Sequence, residues 1–265
     1  GWQQQAKLVA GDGSGDFGTS LAISGDRIIV GAKNDDVNGN NSGSAYIFEL
    51  QGEDWQQVEK LVPSDGQAND YFGHSVAIKG DNIAIGAYST DHSGSASGSV
   101  YTYTRGESGW EAGATLEPDD LAPYDRFGYS VSMSDERLVV GAHYANAQGM
   151  LDTGSAYVYV QSASGWEIED KLVATDLEAG ALFGTSVAIS GEKIAVGAFM
   201  DGESGAAYVF ERTGGNWSEI TKHEDIDART DSQFGHTVAL TNDTLIAGSP
   251  FDDKNFINED FGSVS

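Results

Sequence analysis

Hydrophobic and polar residues alternate in short runs that recur along the whole chain. In residues 72–87 (FGHSVAIKGDNIAIGA), two runs of alternating apolar residues flank a polar turn at 79–82. A period of two places alternate side chains on opposite faces of an extended chain, which is typical of strands. This stretch therefore predicts a β-hairpin.

The hairpin pattern is repeated at regular intervals. Its copies begin at Phe17, Phe72, Phe127, Phe183 and Phe234, with steps of 55, 55, 56 and 51 residues. A fixed period of this size is typical of repeat arrays such as propellers.

Two further strands are predicted in each repeat. The third follows a Gly-Ser or Gly-Ala pair and carries aromatic residues at alternate positions, as in Tyr46/Phe48 and Tyr101/Tyr103. The fourth begins at a tryptophan twelve residues after that glycine, at Trp55, Trp110, Trp166 and Trp217. Four antiparallel strands joined by short turns make one propeller blade. We expect an all-β fold, with residues 1–265 forming a single β-propeller domain of five visible repeats.

The two ends of the chain are out of phase with the hairpin. Residues 1–10 (GWQQQAKLVA) resemble the fourth strand at 54–63 (DWQQVEKLVP), and residues 261–265 resemble the start of a third strand. A propeller can join such ends in one composite blade, which removes exposed sheet edges. We expect the strand at 1–10 to complete the last blade by pairing with the strand that begins at Gly262. The alternative is a fragment of a longer array, such as a seven-bladed propeller.

Composition excludes several classes of function. The net charge is −27, with 41 acidic against 14 basic residues, and such a surface repels nucleic acid and anionic lipid. There is no cysteine for disulfides or thiolate metal sites, and no apolar run long enough to insert into a membrane. The acidity itself has two interpretations, a solvated acidic surface or divalent metal ions held in acidic loops.

Acidic residues recur at one position of the repeat. An aspartate stands seven residues before the phenylalanine at Asp65, Asp120, Asp176 and Asp227, and Asp12 is its equivalent in the first repeat. Residues that recur in every blade usually hold the blade together, and aspartates commonly bond backbone amides in turns. The alternative is a calcium site in one loop, at Asp12, Ser14 and Asp16, whose alternating oxygens match the opening of a calcium loop. Calcium is the single candidate cofactor.

One position varies between repeats while its neighbours stay constant. The residue after Phe-Gly lies at the start of the innermost strand, near the propeller axis, and reads Thr19, His74, Tyr129, Thr185 and His236. These side chains either plug the channel mouth or form a ring that contacts a ligand. They are our candidate ligand-binding residues.

The tryptophans also have two interpretations. Indole faces stack on sugar rings, which suggests carbohydrate binding, but one tryptophan in each repeat favours packing between blades.

The Phe-Gly and Gly-Ala pairs on consecutive strands resemble the FG-GAP repeat, known from the integrin alpha-subunit propeller and from bacterial surface proteins. The resemblance covers the chain in five copies. It implies a β-propeller in an extracellular or periplasmic setting that serves adhesion or ligand recognition. Integrin propellers have seven such repeats, and their calcium-binding blades carry a D-x-D-x-D-G loop between the first two strands. The corresponding turns here are too short to surround a calcium ion with six to eight oxygens.

We therefore expect a secreted or cell-surface module that is not an enzyme. It would bind a protein or glycan ligand through the face that carries the long loops, because loops on a rigid scaffold commonly bind ligands. No G-x-S-x-G or H-E-x-x-H motif occurs, and we assign no catalytic residue. Two alternatives stay open: a glycoside hydrolase or lyase with carboxylates near the axis, and a structural spacer in a large surface protein. The sequence leaves the oligomeric state open.

Overall fold

The computed structural model describes residues 1–225, 230–252 and 263–264. The first ten strands are β1 (Ser20–Ser24), β2 (Arg27–Ala32), β3 (Ser44–Gln51), β4 (Asp54–Leu61), β5 (Ser75–Lys79), β6 (Asn82–Ala87), β7 (Ser99–Gly106), β8 (Gly109–Leu116), β9 (Phe127–Met133) and β10 (Arg137–Ala142). The others are β11 (Ser155–Ser162), β12 (Gly165–Leu172), β13 (Ser186–Ser190), β14 (Lys193–Ala198), β15 (Ala206–Thr213), β16 (Asn216–His223), β17 (Thr237–Leu240), β18 (Leu245–Ser249) and β19 (Ser263–Val264).

The strands form five antiparallel sheets in which each strand pairs with its neighbours in sequence. Blades 1 to 4 contain β1–β4, β5–β8, β9–β12 and β13–β16, and blade 5 contains β17, β18 and β19. This confirms the prediction of an all-β propeller built from four-stranded blades. Within the described ranges, no helix is long and apolar enough to cross a membrane.

The hydrophobic core lies between neighbouring blades. Ile47 and Leu61 of blade 1 pack in one cluster with Val76 of blade 2, and Leu172 of blade 3 packs with Val187 of blade 4. Full burial of one such side chain contributes about 1.5–3 kcal/mol to stability. The alternating apolar positions of the sequence are therefore the faces on which blades stack.

The recurrent Phe-Gly and Gly-Ala pairs meet each other between blades. A Cβ atom on Gly31, in β2, would collide with the backbone carbonyl of Gly73 in blade 2. Gly73 itself has φ +86°, a conformation that favours glycine. The Ser20 hydroxyl also donates to the Gly73 carbonyl oxygen at 2.8 Å. The same contact joins Gly86 to Gly128, Gly141 to Gly184, and Gly197 to Gly235. Both glycine pairs are therefore parts of one close approach between successive blades.

The long loops lie together on one face. The loop between the second and third strands of a blade bonds through its backbone to the loop that enters the next blade. For example, the Phe127 amide donates to the Ser97 carbonyl at 2.8 Å, and the Phe183 amide donates to the Thr153 carbonyl at 2.9 Å. These bonds show that the two kinds of loop lie on the same face. They also join the loops of neighbouring blades to each other.

The apolar side chains on one face of β1 in blade 1 are exposed, unlike their equivalents in blade 2. Leu21 and Ile23 of β1 are 69% and 61% exposed, whereas Val76 and Ile78, at the same positions of β5, are 8% and 5% exposed.

The N-terminal segment is not paired with blade 5 in the structure. Residues 1–10 form no strand, and Trp2 is fully exposed. Leu8 and Ala10 instead pack against the apolar residues of blade 1. The predicted partner strand begins at Gly262, which lies outside the described residues, so ring closure stays a prediction.

Candidate functional site

Three variable positions lie at the inner end of every blade, on the long-loop face. The residue before Phe-Gly is Asp16, Tyr71, Arg126, Leu182 or Gln233. The residue after Phe-Gly is Thr19, His74, Tyr129, Thr185 or His236. The residue after the Gly-Ala or Gly-Ser pair is Lys33, Tyr88, His143, Phe199 or Pro250. Each blade therefore carries three positions at which the residue type differs between repeats.

In blades 2 and 3 these positions, with one adjoining tyrosine, converge on a single aromatic group. We call this group the axial cluster; it consists of Tyr71, His74, Tyr88, Arg126, Tyr129, His143 and Tyr144. The rings of Tyr71 and Tyr88 stack with centroids 5.2 Å apart, and His74 lies 4.6 Å from both Tyr88 and Tyr129. His143 continues the group, 4.0 Å from Tyr129 and 4.4 Å from Tyr144. The rings thus form a continuous surface across two blades.

The structure brings together two of the five predicted ring residues. His74 and Tyr129 touch within the axial cluster. The hydroxyls of Thr19 and Thr185 each donate at 2.7 Å to the carbonyl three residues earlier in their own turn. His236 packs instead against Phe199, with ring centroids 5.3 Å apart. Ligand binding by these five residues stays a prediction. Their contacts differ, since His74 and Tyr129 belong to the axial cluster and the other three residues do not.

Sequence reasoning missed five members of the axial cluster, namely Tyr71, Tyr88, Arg126, His143 and Tyr144. Four of them occupy variable positions next to a constant Phe-Gly or Gly-Ala pair. His74 and Tyr129 were selected because their position varies between repeats while its neighbours stay constant. The same rule, applied to every position that borders a constant pair, finds these four residues as well.

Arg126 is the cation of the axial cluster. Its guanidinium lies 5.6 Å from the ring centroid of Tyr88 and 4.8 Å from that of Tyr144, which are cation–π distances. Arg126 has φ 56°, and the equivalent residue has a similar positive φ in the other four blades. A left-handed residue other than glycine is uncommon. Because this positive φ recurs in every blade, the turn belongs to the repeat scaffold. In each repeat it holds one variable side chain in the same position.

Both histidines of the axial cluster are neutral at pH 7. Burial, together with the charges of Lys33 and Arg126, lowers the pKa of His74 to about 4, and burial with Arg126 lowers that of His143 to about 3. His143 is only 4% exposed. The Nδ1 atoms of both rings are buried without a hydrogen-bond partner in the described part of the chain. An unpartnered buried polar atom costs about 1–3 kcal/mol, so these two nitrogens lower the stability of the fold.

The predicted calcium ligands have partners within the protein. The Asp12 carboxylate accepts hydrogen bonds from the Tyr46 hydroxyl at 2.8 Å and from Lys60 Nζ at 2.5 Å. Asp16 accepts from the Asn34 side chain at 2.5 Å. Ser14 lies beside the Tyr46 hydroxyl. No group of three or more acidic or histidine side chains that could hold a metal ion occurs in the described ranges. Calcium binding stays a prediction.

The recurrent aspartate has a structural role instead. In blade 1, Lys60 bridges Asp12 and Asp35, with its Nζ 2.8 Å from the Asp35 carboxylate. The same Asp–Tyr–Lys cluster appears as Asp120, Tyr157 and Lys171 in blade 3, and as Asp176, Tyr208 and Lys222 in blade 4. Asp227 lies outside the described residues. Where described, these clusters tie the entering loop to the third and fourth strands, as predicted for residues that hold a blade together.

Two of the recurrent tryptophans are buried between blades. Trp110 lies beneath Arg27 of the preceding blade, 5.9 Å from its guanidinium carbon, and Trp217 donates to Glu169 of the preceding blade at 2.9 Å. Both indoles are at most 8% exposed. Packing therefore accounts for these two residues, and neither presents a face for a sugar.

The fold and the glycine contacts between blades define a repeat protein of the β-propeller class. The family model described as FG-GAP repeat matches the chain five times, over residues 2–48, 55–103, 110–159, 166–210 and 217–265. The chain belongs to the FG-GAP repeat family, which confirms the family resemblance of its sequence. Comparison with curated proteins gave no match.

Proposed function

We propose that this chain is a non-enzymatic recognition or adhesion module of the cell surface or extracellular space. It binds a protein or glycan ligand through the long-loop face of the propeller. The observation that carries this proposal is the axial cluster, in which four tyrosines, two neutral histidines and one arginine meet at the inner end of blades 2 and 3. The extracellular setting is proposed from the resemblance to surface proteins.

The rigidity of the surroundings supports a binding role. The loops beside the axial cluster are joined by backbone bonds, such as that from the Arg126 amide to the Ala96 carbonyl at 3.3 Å. A preorganised surface loses little conformational entropy when a ligand binds. Tyrosine and arginine are also the side chains that most often dominate binding energy at interfaces.

A purely structural spacer accounts less well for the same features. The unpartnered nitrogens of His74 and His143 lower stability and serve no packing purpose that an apolar ring would not serve better.

Glycoside cleavage would require two carboxylates about 5–9 Å apart beside the sugar. The axial cluster contains no carboxylate. Asp70 and Asp125, which precede Tyr71 and Arg126, each accept a bond from a backbone amide of their own loop, at 2.6 and 2.9 Å. This arrangement favours recognition over hydrolysis.

The test is binding of the protein to arrays of glycans and of surface proteins, followed by titration of the ligands that bind. We expect Tyr129→Ala to weaken binding at least tenfold, because it removes the ring between His74 and His143. The matched control is Thr185→Ala, at the same repeat position of blade 4 but outside the axial cluster.

Thr185→Ala should bind as the parent does, and all titrations are run at a temperature at which each variant is folded. A ligand whose affinity is unchanged by Tyr129→Ala, or a chain that binds neither array, would contradict the proposed function.

A further inference from the structure

Arg126 differs from the other arginines that the structure describes. Arg27 and Arg105 pair with Glu49, and Arg137 and Arg212 pair with Glu169. No carboxylate lies within ion-pair distance of Arg126 in the described ranges. In a chain with 41 acidic and 14 basic residues, an arginine left without an acidic partner needs an explanation.

The axial cluster is locally electropositive, although the molecule is strongly acidic. The charged side chains that lower the pKa of His74 are Lys33 and Arg126, and both are cations. Arg126 also lowers the pKa of His143. Lys33, like Arg126, makes no ion pair within residues 1–225 and 230–252. This surface therefore attracts a single negative charge, while the net charge of −27 repels a densely charged polyanion at long range.

The guanidinium of Arg126 is held in place by the rings of Tyr88 and Tyr144, at 5.6 and 4.8 Å. A planar guanidinium presents parallel N–H groups that match the two oxygens of a carboxylate. Because the two rings already restrict the side chain, a carboxylate that binds there costs less entropy than it would at a free arginine.

The remaining groups suit a sugar better than a peptide. Tyr71 and Tyr144 stand at the two ends of the ring series and are half-buried, so each retains exposed ring surface. An aromatic ring packs well on the apolar face of a pyranose. The tyrosine hydroxyls of the axial cluster both donate and accept hydrogen bonds, as the hydroxyl groups of a sugar do.

We propose that the axial cluster binds a carboxylated sugar unit, such as a uronic acid, with Arg126 receiving the carboxylate and the tyrosines and histidines contacting the ring and its hydroxyls. This inference rests on the proposed recognition function and names the ligand class for that site.

The test uses two matched oligosaccharide probes, one that carries a single uronic acid residue and the same oligosaccharide with that carboxylate reduced to an alcohol. Calorimetric titration at fixed ionic strength measures both affinities for the parent. We expect the acidic probe to bind at least tenfold more tightly than the reduced probe, and Arg126→Gln to abolish that preference. Arg105→Gln removes the same charge at a site paired with Glu49 and should leave the preference intact.

If Arg126→Gln does not fold, Tyr144→Leu provides the second variant, because it removes one of the two rings that hold the guanidinium. We expect it to reduce the preference severalfold.

The outcomes separate this inference from the proposed function. Equal binding of the two probes, or a preference that persists in Arg126→Gln, would overturn the carboxylate assignment and leave recognition at the axial cluster standing. Binding of an acidic peptide with no binding of either sugar probe would also overturn it. Failure of the chain to bind any glycan or protein would instead overturn the proposed function.

Discussion

At the scale of single residues, the glycine after each recurrent phenylalanine combines two constraints. Gly128 has φ +85°, and a Cβ atom there would lie 2.6 Å from the Ser99 carbonyl oxygen and 3.1 Å from a methyl group of Val100. Gly18, the equivalent residue of blade 1, has φ +97° but no atom within 4 Å of such a Cβ. These two positions separate backbone conformation from steric contact.

We predict that Gly18→Ala lowers the free energy of unfolding by about 1 kcal/mol, because alanine is strained at positive φ. Gly128→Ala should cost about 2 kcal/mol or more, because the carbonyl of the neighbouring blade must also move. Urea unfolding with unchanged m-values measures both losses. If both substitutions lower the free energy of unfolding equally, the positive φ alone accounts for the need for glycine and the steric contact does not matter.

At the scale of elements, the Asp–Tyr–Lys cluster joins a loop to two strands. Burial alone would raise the pKa of Asp35, but hydrogen bonds from Lys60 and Ser44 outweigh it and hold the pKa below the ordinary value of 3.8. The Asp35 carboxylate therefore contributes stability above about pH 4, and this contribution is lost as the pH falls through its folded pKa. Burial opposes the charge of Lys60 too, yet its acidic partners raise its pKa well above 10.5. The lysine therefore contributes stability that is lost only above about pH 10.5.

We predict that Lys60→Met lowers the free energy of unfolding at pH 7 by about 1–2 kcal/mol, because it leaves the buried Asp35 carboxylate without its cation. The loss should shrink below pH 4, where Asp35 takes up a proton. The matched control is Lys79→Met, whose partner Asp135 is exposed, and which should change stability by less than about 0.5 kcal/mol. Thermal unfolding of both variants between pH 3 and 8 gives the comparison. A loss for Lys60→Met that does not depend on pH would contradict this account of the cluster.

The blades were predictable from the sequence, and the contacts of the site were not. A hairpin such as 72–87 is specified by neighbouring residues, namely alternating apolar positions, a polar turn and glycines at fixed places. Asp12, in contrast, meets Tyr46 and Lys60 across 34 and 48 residues of sequence, and the local pattern of its loop contains no sign of these partners. Arg126 likewise reaches Tyr88 of the preceding blade, a contact set by how two blades stack. Sequence periodicity carries no information about that packing.

In the molecule as a whole, the structural contacts of the FG-GAP scaffold recur from blade to blade. The residue types at the inner ends of the blades differ. The glycine contacts recur at each junction between described blades, and Asp–Tyr–Lys clusters recur in blades 1, 3 and 4. In the part of the chain that the structure describes, the variable positions form an aromatic and cationic group across blades 2 and 3. Function is therefore expected in one sector of the long-loop face rather than evenly around the axis.

Hydrogen exchange measured by mass spectrometry, with and without a ligand selected from the arrays, tests this central claim most directly. We expect slower exchange in peptides that cover residues 71–74, 88, 126–129 and 143–144, and unchanged exchange in the short turns at 24–27 and 190–193 on the opposite face. Protection confined to the short turns, or spread equally over all five blades, would contradict it.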